Sequence, residues 1–72
     1  MTQEILAPLA GKVFELLVAV GDKVEEDDET IIIEAMKMET PVFAPCDGTV
    51  KEIRVSKGDT VDEEDVLIVI EP

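Results

Sequence analysis

Lys37 is the side chain in this sequence best equipped for covalent chemistry. It stands in Glu34-Ala35-Met36-Lys37-Met38-Glu39-Thr40, a primary amine between two methionines. A lysine amine is a nucleophile toward activated carbonyl carbon. No catalytic set accompanies it, because the chain contains no histidine to serve as a base. Cys46 is the single cysteine, so no internal disulfide can form and a reducing cytoplasm is the expected setting. Without an activating histidine its thiol reads as structural. The acidic runs Glu25–Glu29 and Asp62–Asp65 hold adjacent carboxylates. Neither has the ligand spacing of a calcium loop, and both read as solvated and metal-free.

The rest of the chain is organised symmetrically about that lysine. Residues 7–34 align with 44–71 at a constant offset of 37, with fourteen identities in twenty-eight positions. Pro8 and Pro45 fall in register, as do all four glycines (Gly11/Gly48 and Gly21/Gly58). Two copies of one supersecondary unit predict a pseudo-twofold object, with the linker 35–43 presenting Lys37.

Each copy reads as short strands and turns. Thr2–Leu6 is a first strand, and Ala7-Pro8 ends it with extended or turning backbone. Gly11–Val18 and Gly48–Val55 are the next strand of each half. Apolar residues at 13/50, 16/53 and 18/55 change phase along these strands, which predicts a bulge or a strong twist. Val20–Val24 and Lys57–Val61 read as Gly-Asp turns leading into very short strands. Thr30–Glu34 and Val66–Glu71 are β-branched apolar runs bounded by charge, hence buried strands. No segment carries a 3.6-residue period. The expectation is an all-β single domain over 1–72, a flattened barrel or sandwich.

Composition narrows the partners. At 72 residues the chain buries about 60% of its unfolded surface and has no room for a substrate cleft of its own. A net charge of −12 repels phosphate backbones and anionic lipid heads, which excludes nucleic acid and membrane surfaces. The longest apolar stretch is Val66–Ile70, and neither a signal peptide nor a membrane span is expected. The start at Met1 suits a free-standing protein and an excised domain equally. One asymmetry stands out. Phe14, Leu17 and Val20 occupy the positions that hold Lys51, Arg54 and Lys57 in the second copy. Either the N-terminal strand or a loop covers them, the favoured reading, or they form a docking patch for a partner protein.

At the centre, Lys37 falls between strands Thr30–Ala35 and Met38–Ala44, which predicts a tight hairpin with Met36-Lys37 at its tip. Two-residue hairpin turns prefer Asn-Gly or Gly-X, because both central residues need positive φ. Met and Lys are poor choices there, and their flanking apolar side chains face solvent or fold back on the barrel. Local rule-breaking at a symmetry centre is the mark of a functional site.

Glu34-Ala35-Met36-Lys37-Met38, set between Ala-Pro…Gly and Gly-Asp…Val repeats, resembles the attachment motif of the biotinyl domain family, the biotin carboxyl carrier proteins. The resemblance covers nearly the whole chain. It implies two four-stranded antiparallel sheets related by a pseudo-twofold axis, with Lys37 on the hairpin tip and the termini together at the opposite end. It implies covalent biotin on Lys37, attached by a biotin protein ligase. The domain would shuttle carboxyl groups between a biotin carboxylase and a carboxyltransferase, and would itself be a monomeric carrier without catalytic residues. Met36 and Met38 would serve ligase and partner recognition, with Ala35 and Glu34 as motif context and Glu34 chiefly architectural.

Departures from the family pattern are Leu9-Ala10 after the first Ala-Pro, and Asp27 and Glu64 where glycine is usual. The link from Val18 to Val24 leaves no room for the protruding thumb of some members. The sibling lipoyl domains share the repeat and central lysine, but their usual context is Asp-Lys-Ala. A lipoyl-type swinging arm and a non-carrier scaffold are the alternatives.

Overall fold

The computed structural model describes residues 1–72. Eight strands follow one another: β1 (Gln3–Leu6), β2 (Gly11–Leu16), β3 (Lys23–Val24), β4 (Glu29–Ala35), β5 (Met38–Phe43), β6 (Gly48–Ile53), β7 (Thr60–Val61) and β8 (Val66–Glu71). They form two antiparallel four-stranded sheets, β1-β8-β6-β3 and β5-β4-β2-β7. Adding 37 to each residue number of the first half converts one order into the other, so the pseudo-twofold expected from the repeat is present.

The repeat reaches further than sequence identity shows. β1 is the counterpart of β5, so residues 1–35 match 38–72 and only Met36 and Lys37 lack a partner. The expected linker 35–43 is therefore mostly repeat unit, and its unique part is two residues long. The backbone bonds outside regular pairing show the same symmetry. All fourteen fall into seven pairs at the offset of 37, such as Val13 N–H to Asp59 O and Val50 N–H to Asp22 O.

Each sheet draws on both halves. The central strands β8 and β6 come from the second half, and the edges β1 and β3 from the first. The other sheet reverses this. Neither half can close its sheet alone, because each sheet takes two strands from the other half.

Strand alternation fills the space between the sheets. Val13, Ile31, Ile33, Val50, Leu67, Ile68 and Ile70 are all at most 1% exposed. Burying one such side chain contributes roughly 1.5–3 kcal/mol. The phase change in β2 is a bulge between Val13 and Glu15 against β4, and β6 repeats it between Val50 and Glu52 against β8. Both strands end two residues before the expected Val18 and Val55.

Short side chains fasten the turns. Asp22, Asp28, Asp59 and Asp65 each accept a backbone N–H three residues earlier, at 2.8–2.9 Å. This use of the aspartates explains much of the acidic loops. Asp27 and Glu64, where the family has glycine, take φ of 73° and 72°. The turn geometry survives in both halves.

The N-terminal strand does not cover Phe14, Leu17 and Val20, contrary to the favoured expectation. β1 adds to the edge of the other sheet beside β8, and the three residues are 40%, 43% and 63% exposed.

Candidate functional site

β4 and β5 pair without a break from Ile31↔Val42 to Ala35↔Met38. That register leaves two residues for the turn. Met36 and Lys37 take φ of 53° and 65°, the two positive values that a type I′ turn requires. Left-handed backbone costs non-glycine residues roughly 1–2 kcal/mol each. The paired strands on either side impose the turn, since the ladder fixes Ala35 opposite Met38.

The hairpin is anchored from behind. Gly11, at the start of β2, lies so close to the end of β4 that a Cβ there would meet Glu34 O at 2.5 Å and Ala35 Cβ at 3.2 Å. Glu34 pairs with Lys12 on one side and Glu39 on the other. Ala35 is half-buried at the base of the turn.

The tip itself is open. Met36 is 92% and Met38 69% exposed, so the methionines do not fold back on the barrel. Lys37 is exposed. The only ion pairs in the molecule, Lys51–Glu71 and Arg54–Glu52, lie on the other sheet. The amine is thus presented without a charged partner on a turn held by two strands. The one surface depression, bordered by Lys23, Asp28, Asp47 and Thr49, is at the β3–β6 edge. No cleft adjoins Lys37, and no three His, Cys, Asp or Glu groups are disposed to hold a metal ion. The geometry suits a lysine that another protein's active site takes in.

The family model described as biotin-requiring enzyme, for biotin and lipoyl attachment, matches residues 3–70. The chain belongs to the biotin/lipoyl attachment family. Its relatives are biotinyl domains. It is 54% identical over 37 residues to the methylmalonyl-CoA carboxyltransferase 1.3S subunit of Propionibacterium freudenreichii subsp. shermanii, covering 51% of this chain and 30% of that protein. It is 37% identical over 42 residues to the biotinylated protein TB7.3 of Mycobacterium bovis, covering 58% of this chain and 59% of that protein. The chain therefore matches 30% and 59% of the length of these two relatives. Among solved structures, the Kluyveromyces lactis urea carboxylase superposes with a TM-score of 0.93 at 38% identity, over 99% of this chain and 6% of that one. This biotinyl carrier domain has the two-sheet half-barrel of carboxylase biotinyl domains. No helix is long and apolar enough to cross a membrane.

Proposed function

We propose that Lys37 is the attachment residue for biotin, and that this carrier domain moves carboxyl groups between a biotin carboxylase and a carboxyltransferase. The observation that carries the reading is the tip. Met36 and Lys37 are the two residues outside the repeat, they hold the strained turn, and the lysine amine has no partner of its own. Met36 and Met38 favour biotin over lipoate, because the usual lipoyl context is Asp-Lys-Ala.

Attachment uses the free amine directly. Lys37 Nζ attacks the activated carboxyl presented by a biotin protein ligase, an amide bond forms, and the activating group leaves with the bond pair. Two exposed thioethers beside the amine give the ligase apolar, adaptable contacts. Once bound, biotin supplies a ring nitrogen that accepts and releases a carboxyl group. The chain contributes position. A fixed turn holds the lysine stem away from the sheets, and tethering makes each delivery nearly intramolecular. The acceptor belongs to the partner enzymes.

The test is the intact mass of the protein from its native host, with fragmentation to locate any adduct. One biotinyl group on Lys37 is expected, with complete loss in Lys37→Arg and an unchanged melting temperature. A lipoyl group there would move the domain to oxidative complexes. An unmodified Lys37 beside an active ligase sinks the carrier reading.

A further inference from the structure

The outer face of the sheet that carries Lys37 is apolar at its centre. Ile31 and Ile33 are fully buried, so Ile32 between them points outward, and it is only half-buried. Its neighbour across β5 is Pro41. Phe43 lies between buried Val42 and Ala44 and is 50% exposed. Phe14, at the β2 bulge, and Leu17, whose N–H bonds Thr30 O beyond it, extend the patch over β2.

The pseudo-twofold supplies an internal control. On the matched face of the other sheet Val69, the counterpart of Ile32, is 6% exposed. Lys51 and Arg54 replace Phe14 and Leu17 there, and both are ion-paired. The same backbone thus accepts charge at these positions, so burial in the fold does not require Phe14 and Leu17 to be apolar. The other face keeps one exposed apolar residue, Leu6 at 41%, the counterpart of Phe43, whereas Ile32, Phe14, Leu17 and Phe43 gather on the Lys37 face. A cluster of that size marks an interaction surface.

The rim identifies the occupant. Glu29 pairs with Phe43, Glu15 with Ile32, and the next outward rung is Glu34 with Glu39. Lys12, opposite Glu34, is the single cation in this group. A second copy would set this acidic rim against itself, each chain carrying −12. Anionic polymers and lipids are repelled for the same reason.

Resting on the carrier reading, we propose that this face docks a partner enzyme through a surface with an apolar centre and a lysine- and arginine-rich margin. The patch and the Lys37 hairpin share β4 and β5. From Ile32 to Ala35, the last residue of β4, is roughly 10 Å at strand rise, and the Met36-Lys37 turn follows directly. A partner seated on the patch therefore holds the tip at a fixed offset from its own active site. An apolar centre supplies the contact energy and the acidic rim the steering.

The experiment compares the wild type with Phe14→Lys/Leu17→Arg, which imports the residues already present at 51 and 54. Calorimetry on unbiotinylated protein measures the Kd for the host's biotin carboxylase and for its carboxyltransferase. The KM of the biotin protein ligase for each protein is measured alongside. We expect at least a tenfold weaker Kd for one of the two enzymes, a wild-type Kd that weakens with added salt, and an unchanged ligase KM. Equal Kd values, or no binding of either protein, overturn the docking surface. So does a wild type that sediments as a dimer when the variant is monomeric, because the occupant is then a second copy. Failure of the carrier reading shows separately, as absence of ligase modification at Lys37.

Discussion

The β4–β5 hairpin and the paired chain ends of β8 and β1 occupy matched places in the repeat, yet one is closed by Met36-Lys37 and the other by nothing. Gln3 still pairs with Ile70, and β1 keeps its register through Ile5↔Ile68 without a covalent turn. The edge strand is therefore held by its ladder and by buried Ile5, as β5 is held by its own ladder and Val42. A turn is dispensable for this architecture. The fold tolerates a strained, unusual pair at the tip because the turn's residues contribute little to holding the strands. On the proposed carrier reading, the tip sequence answers instead to the ligase and the partner enzymes.

The sharpest way to separate the two ends is through their glycines. A Cβ on Gly11 would meet Glu34 O at 2.5 Å, and one on Gly48 would meet Ile70 Cγ2 at 2.6 Å and Glu71 O at 2.8 Å. Gly11→Ala and Gly48→Ala should each destabilise by about 1–3 kcal/mol in urea titrations, as overpacked sites do. Only Gly11→Ala pushes on the strand that carries Lys37. It alone should slow ligase modification several-fold under conditions where both variants remain folded. Equal slowing by both would mean that general loosening governs presentation of the lysine.

Much of this was legible in the chain. The apolar phase change at 13 and 16 announced the bulges, and the spacing around Lys37 announced the two-residue turn with positive φ. The resemblance carried the pairing of the sheets. Other features depend on distant partners. Only Met1 matches Met38 in the first six positions of each unit, so β1 did not read as the twin of β5. Two-residue strands such as β3 and β7 have no local signal for which sheet they join, because their pairing with β6 and β2 is set by the opposite half. Phe14 and Leu17 look alike whether covered or bare, and only the placement of β1 on the far sheet decides.

A smaller effect tests the tip against the demands of its own backbone. Met36→Gly removes the left-handed penalty at φ 53° and should raise stability by about 1 kcal/mol. If the tip is shaped for recognition, the same change lowers ligase kcat/KM, since a 92% exposed thioether is lost from beside the amine. Greater stability together with undiminished modification would remove Met36 from the recognition surface.

The smallest contrast lies between the halves, at Asp27 and Glu64. Their φ values are 73° and 72°, and their N–H groups donate to Ala44 O and Ala7 O at 2.9 Å and 2.8 Å. Their own φ values and backbone bonds are matched; beside Asp27 the Glu26 N–H also donates to Asp47 Oδ1 at 2.7 Å, a bond that Ala10 cannot offer Glu63. Aspartate visits the left-handed region more readily than glutamate, its short carboxylate being able to bond locally. Glu64→Gly should therefore stabilise by up to about 1 kcal/mol, and Asp27→Gly by only a few tenths. Each change also removes one negative charge from a chain at −12. That relief is common to both variants, so the difference between their urea midpoints isolates the conformational preference. Identical midpoints would show that the paired backbone bonds, rather than residue type, set the strain at these turns.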